Sequence, residues 1–175
     1  NIANSTIDTT GNSSNFGDLS QARYGLASLS SATRAVFGGG YTGSGSLQGV
    51  STQDYVTFAS GGTASTSGNL IGTAKWLIAG CSNSTYGFWV GGYNASSQMQ
   101  RTTMASLGTC LDYGDLSVGR HLCGALASEG RAVFGGGGGS DVMDYKAFDD
   151  TGTASDFGDL SWSGTTCGCS DLVRT

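Results

Sequence analysis

Proline is absent from this 175-residue chain, and only 12% of its residues are charged, against roughly 25% in an average protein. Without Pro or a strict G-X-Y period a collagen triple helix is excluded. So few charges cannot supply the Glu, Lys and Leu heptads of a coiled coil. The 8 basic residues stand against 13 acidic ones, so the basic footprint of a nucleic-acid binder is missing. No long hydrophobic run exists either. The longest, Trp76-Leu77-Ile78-Ala79, is far short of the ~20 apolar residues of a membrane-spanning helix, and no signal peptide is visible. Histidine occurs once, at His121, and no Gly-x-Ser-x-Gly elbow accompanies it, so a hydrolase triad is not legible. The five cysteines include no paired C-x₂-C set with partner histidines, which excludes a recognisable zinc site.

What is there is small and polar. Gly, Ser and Thr together fill 75 of the 175 positions. Gly and β-branched residues are poor helix formers, which argues against a helical bundle. Disorder is excluded because hydrophobic residues still reach 38% and aromatics 10%, with a net charge of only −5. The aromatics sit in short runs such as Ala35-Val36-Phe37 and Phe88-Trp89-Val90. These read as many short strands.

The chain repeats itself. Phe16-Gly17-Asp18-Leu19, Ser67-Gly68-Asn69-Leu70, Tyr113-Gly114-Asp115-Leu116 and Phe157-Gly158-Asp159-Leu160 are four copies of one turn, spaced by 51, 46 and 44 residues. Each of the first three is followed by an apolar strand ending in glycines: Arg34-Ala35-Val36-Phe37-Gly38, Tyr86-Gly87-Phe88-Trp89-Val90 and Arg131-Ala132-Val133-Phe134-Gly135. Twelve residues before each turn Leu stand Ile7, Phe58, Met104 and Phe148, all apolar. Asp54-Tyr55 and Asp144-Tyr145 match one another. One unit therefore reads as strands at 24–29, 34–37 and 53–59, then a weak outer strand before the next turn. Three to four antiparallel strands per ~45–50 residues is the pattern of a β-propeller blade.

Four expectations follow at particular residues. Leu26, Leu77, Cys123 and Cys167 fall in register, as do Leu29, Cys81, Leu126 and Cys169, so cysteine is expected to serve as a small apolar core residue. A metal or redox pair at Cys167 and Cys169, or a disulfide, is the lesser reading. Gly38, Gly91 and Gly135 are expected at equivalent tight positions, unlike Gly45 in the variable loop. The Asp of each Gly-Asp-Leu turn is expected to hydrogen-bond its own backbone.

The run 34–40, the stretch 54–58 and the stretch 152–160 occur in the order of a kelch motif. The chain resembles the kelch-like repeats of bacteriophage virion proteins, which read Arg-Gly-Val-Phe-Gly-Gly-Gly, Ile-Asp-Tyr-Val-Thr-Ile and Asp-Phe-Gly-Asp-Leu. The second unit departs from that pattern at Tyr86 and Trp89. The resemblance covers nearly the whole chain. It implies an all-β, kelch-like β-propeller of about four ~45–50-residue antiparallel sheet repeats, incomplete or closed by another chain. The units run about 1–29 (partial), 30–76, 82–126 and 128–175 (partial). Residues 1–19 match the later half of a unit. Residues 161–175 match its first strand, with Arg174 in the place of Arg34 and Arg131. The terminal strands at 5–9 and 165–175 are therefore expected to contact a neighbouring subunit or adjoining sequence.

For function, the resemblance implies a structural component of a phage virion (tail, fibre or decoration protein) with a role in host-surface contact. The alternative is an extracellular bacterial filament subunit or an adhesin and glycan-binding module. Both place the chain in a virion or outside the cell, with self-association or other subunits as partners and a host-surface glycan as ligand. No enzyme activity, cofactor, metal, nucleic acid or membrane insertion is expected. Residues weighed for chemistry are His121 as a base, and Asp141, Asp144, Asp149 and Asp150 with the glycines at 136–139 as a single calcium-repeat match. Asn4, Asn12, Asn83 and Asn94 open Asn-x-Ser/Thr sequons, and Tyr41, Tyr93 and Trp162 could stack on sugars.

Overall fold

The computed structural model describes residues 1–6, 8–43, 49–72 and 75–168. Ile7, Gly45, Cys169 and Arg174 lie outside them. Among the described residues every regular element is a strand, as the glycine punctuation of short apolar runs implies. β1 (Ile2–Asn4) pairs with β2 (Ser14–Gly17). Three four-stranded antiparallel meanders follow. The first is β3 (Ala27–Ser30), β4 (Arg34–Gly38), β5 (Thr52–Thr57) and β6 (Ser65–Asn69). The second is β7 (Ala79–Ser82), β8 (Tyr86–Val90), β9 (Gln98–Thr103) and β10 (Leu111–Asp115). The third is β11 (Gly124–Ala127), β12 (Arg131–Gly135), β13 (Val142–Ala147) and β14 (Ser155–Asp159). The strand expected at 24–29 begins only at Ala27, because Tyr24 instead bridges Tyr41.

Register makes the three meanders superimposable. Leu29–Val36–Tyr55, Cys81–Phe88–Arg101 and Leu126–Val133–Tyr145 are matching rungs. Alternate strand residues point to opposite faces, so each sheet turns one apolar face forward and one back. Leu29 and Val36 face forward onto Trp89 of the next sheet. Phe88 does the same, stacking on Phe148 with ring centres 4.8 Å apart and meeting Phe134 edge-on. Two cores result, one in each gap between consecutive full sheets. Burying each large side chain contributes about 1.5–3 kcal/mol. In the gap before the first full sheet only β1 and β2 are present. There Phe58 is exposed, whereas its counterparts Met104 and Phe148 are buried.

The same backbone joint links the units three times. Phe16 O accepts from Gly62 N–H at 2.8 Å, and Asp18 O from Ala64 N–H at 2.7 Å. Ser67 O and Asn69 O accept from Gly108 and Cys110, both at 2.9 Å. At the third joint, Asp115 O accepts from Ala154 at 2.7 Å and Gly152 O accepts from Asp115 at 3.3 Å. The outer strand of one unit thus lies on the hairpin turn of the next. This explains the glycine of the repeated turn: a Cβ on Gly17, Gly68 or Gly114 would overlap the backbone of Gly62, Gly108 or Gly152. β14 forms no backbone hydrogen bond with β1 or β2 among the described residues, so no closed ring is shown.

Two expectations need correction. Gly38, Val90 and Gly135 are the equivalent strand ends, so Gly91 matches Gly39 and Gly136, not Gly38 and Gly135. One extra residue between Leu70 and Ile78 shifts the second unit, and it also makes Ile78, not Leu77, the counterpart of Cys123. Gly39, Gly91 and Gly136 share φ of +66°, +69° and +64°, a region that L side chains rarely adopt. Among the described residues no turn aspartate accepts a hydrogen bond from its own turn's backbone. Asp115 accepts from Ser97 Oγ at 2.8 Å and Asp18 pairs with the N-terminal amine at 3.4 Å. The residues that accept from the turn glycines are Asp112, from Gly114 N–H at 3.1 Å, and Asp156, from Gly158 N–H at 2.8 Å.

Candidate functional site

In the loop entering each full meander, two positions before its first strand, stands a residue in the left-handed region: Gly25, Leu77 and Leu122, at φ +64°, +55° and +55°. A chain of hydrogen bonds ties these loops together. Leu77 N–H donates to Gly25 O at 2.8 Å, Leu122 N–H to Leu77 O at 3.0 Å, and Thr166 N–H to Leu122 O at 3.3 Å. The residue before each left-handed position is Tyr24, Trp76 or His121. Directly after the Gly-Gly exits stand Tyr41, Tyr93 and Gly138.

Backbone pairing brings these two positions together. Tyr24 and Tyr41 exchange hydrogen bonds at 3.0 and 2.8 Å, and Tyr93 N–H donates to Trp76 O at 2.9 Å. Neighbouring pairs are joined by Gly40 N–H to Lys75 O at 2.6 Å and by Gly92 N–H to Arg120 O at 3.0 Å. The result is a continuous aromatic row. Tyr24 meets Tyr41 edge-on at 5.2 Å, Tyr41 meets Trp76 at 5.1 Å, and Trp76 stacks on Tyr93 at 4.5 Å. His121 takes the next place in register, beside Gly138. Tyr24 is exposed at the row's free end, and the other three rings are half-buried. The Trp76 indole N–H and His121 Nδ1 are buried with no hydrogen-bond partner among the described residues. Lys75, whose ammonium donates to Gln98 Oε1 at 2.6 Å, is held below the usual lysine pKa by burial.

Of the three aromatics singled out for sugar stacking, Tyr41 and Tyr93 are brought together and Trp162 is not; it stands exposed in the turn after Leu160. Tyr24 and Trp76 escaped notice. Their signal was the recurrence of a ring, at Tyr24, Trp76 and His121, five or six residues after each of the first three turn Leu residues.

The four carboxylates do not converge. Asp144 lies fully buried beneath Arg120, at 2.5 Å, and accepts from Ser117 Oγ at 2.6 Å. Asp54 repeats this with Arg23 at 3.0 Å and Ser20 Oγ at 2.7 Å. The Asp-Tyr pairs of the sequence are therefore structural anchors that fasten each entry loop to its own sheet. In the second meander the amide of Gln100 replaces the acid and bonds both N–H and O of Ile71. Asp149 and Asp150 lie at the far end of β13 from Asp141, and Asp150 pairs with Lys146 at 3.2 Å.

The sequons differ in access. Asn83 is buried, with Oδ1 accepting from Thr85 and Tyr86 and Nδ2 donating to Glu129 O. Asn4 accepts from Ser14 on the paired strand, and Asn12 and Asn94 are exposed. Cys81, Cys110 and Cys123 are buried free thiols packed in the two cores; the leucine register suggested this for Cys81 and Cys123, did not include Cys110, and fails at Cys167. Burial raises all three pKa values, Cys110 to about 12. Cys167 is free and exposed. No helix is long and apolar enough to cross a membrane among the described residues. No protein-family model matches the chain, and no curated protein matches it.

Proposed function

We propose that this chain is a non-catalytic structural component of a phage virion, in tail, fibre or decoration, built as a kelch-like β-propeller array. The observation that carries the reading is the thrice-repeated joint between units, which makes a regular scaffold of meanders whose repeated turns are spaced by 51, 46 and 44 residues. Kelch-like propeller blades are four-stranded meanders of this size. The virion assignment rests on the resemblance of the repeat motifs. Its test is peptide mass spectrometry on purified particles from the source culture. The reading expects this chain at a fixed ratio to the capsid protein, and its absence from intact particles overturns it.

The second reading, an extracellular adhesin or glycan-binding module, is favoured by one feature, the Tyr24–Tyr41–Trp76–Tyr93 row. Aromatic faces suit pyranose rings, and the buried Trp76 indole N–H is a donor without a partner among the described residues. A glycan array probed with the chain tests it. Binding that is lost in Trp76→Ala supports this reading, and equal binding by both proteins counts against it.

A further inference from the structure

The last meander presents a forward face that the described residues cover only in part, at Val133 and beside Thr166–Gly168, although the matching faces of the two earlier meanders are buried. Leu126 is 40% exposed where its counterparts Leu29 and Cys81 are 3% and 7%. Phe157 is 45% exposed where Tyr113 is 9%. Arg131 lies over the rings of Tyr145 and Phe157. Its counterpart Arg34, over Tyr55, donates to Ala105 O of the next unit at 3.3 Å, and Arg101, over Tyr86 and Tyr113, donates to Phe148 O at 2.7 Å. Arg131 has no such acceptor among the described residues. Gly158 keeps its place in the repeat, yet nothing lies within 4 Å of where its Cβ would be. Half of the inter-unit joint is therefore present here without its other half.

The other half sits at β1–β2. The spacing that relates Gly62, Gly108 and Gly152 also reaches Gly11, in the turn between β1 and β2. No backbone carbonyl among the described residues accepts from the amides of Gly11 or Ser13, the counterparts of the donors Gly62 and Ala64. Asp8, in the same turn, adds an acidic residue to the surface that would receive Arg131. Behind this hairpin lies a groove of about 690 Å³ lined by Ile2, Leu19, Leu26 and Phe37, where the inner strands of a complete unit would pack. At the other end, Thr166 and Gly168 already lie against β11 in the position of such an inner strand, Thr166 Oγ1 receiving Gly124 N–H at 2.7 Å. The buried acid that anchors an entry loop is missing from β1, which has Ala3 in the register of Asp54, so docking strands no charge.

We propose that the forward face of β11–β14 binds the β1–β2 hairpin of a second copy of this chain, head to tail, through the joint already used three times inside it. This goes beyond the virion reading and does not depend on it. A heterologous contact of this kind propagates into rings or filaments. Leu126→Asp blocks one surface, and Gly11→Trp blocks the other at a position with open space around it. Both variants are expected to melt within a few degrees of the parent. Sedimentation velocity on the 17.7 kDa chain should show mass rising stepwise with concentration. Each variant alone should be a monomer, and an equimolar mixture should give dimers and nothing longer. A parent that stays monomeric, masses unchanged in both variants, or cross-links joining the Gly11 turn to β14 within a single chain would each overturn the proposal.

Discussion

At the residue scale the fold depends on positions where a side chain is forbidden or a polar group is sealed in. Gly39 has φ +66°, and a Cβ there would overlap Lys75 O, so Gly39→Ala should destabilise by about 3 kcal/mol or more. Gly130→Ala meets nothing within 4 Å and should leave the chemical-denaturation midpoint nearly unchanged. Asp144→Ala would leave the Arg120 guanidinium buried and unpaired, at a cost of about 3–5 kcal/mol. The cysteines give a chemical check. At pH 8 a thiol-alkylating reagent should modify Cys167 at least about tenfold faster than Cys81, Cys110 or Cys123, read by peptide mapping. Their raised pKa values also fix a sign: unfolded thiols lose protons near 9.0 and Cys110 near 12, so stability should fall as pH rises across that interval. The sequence made Cys81 and Cys123 legible as core residues because they alternate with leucine, but the same register put Cys167 in the core, where it is exposed, and did not reach Cys110. It hid the Arg23–Asp54 and Arg120–Asp144 pairs, since residues over 20 positions apart meet only once the entry loop folds over its sheet.

At the element scale, Gly114 and Gly158 form a natural experiment. Both adopt positive φ, +101° and +121°, so alanine is strained at either. Only at Gly114 would the new Cβ overlap the carbonyl of Gly152 in the next unit. Gly158→Ala should therefore cost about 1–2 kcal/mol and Gly114→Ala at least about 2 kcal/mol more. Equal losses in urea titrations would remove the joint from the account. Strands were legible to within about two residues wherever β-branched and aromatic runs ended in glycine, as at β4, β8 and β12. The one-residue slip at Gly91 was not, because an insertion in a loop leaves no mark on strand periodicity. The aromatic row was half legible: Tyr41 and Tyr93 follow a visible glycine motif, whereas Tyr24 and Trp76 sit in loops whose pairing is set by the neighbouring unit.

At the scale of the whole molecule, the chain is a series of meanders whose cores lie between sheets, not within them. A sheet at either end is consequently less buried than one in the middle, which is why Phe58 and Leu126 are exposed while their counterparts are not. The repeat spacing foretold the series, but not where apolar surface would remain uncovered, since that depends on which neighbours each sheet has. Far-ultraviolet circular dichroism should show a β-dominated spectrum with helix well below the ~30–35% of ordinary domains.

The central claim is that consecutive units are held by one recurring backbone joint. NMR detection of scalar coupling across hydrogen bonds, with amide exchange on the same sample, tests it most directly. The account predicts coupling from the amides of Gly62, Ala64, Gly108, Cys110 and Ala154 to the carbonyls of Phe16, Asp18, Ser67, Asn69 and Asp115, with slow exchange at all five. Exchange at unstructured-chain rates at these amides, with the strand amides within each sheet still protected, would contradict it.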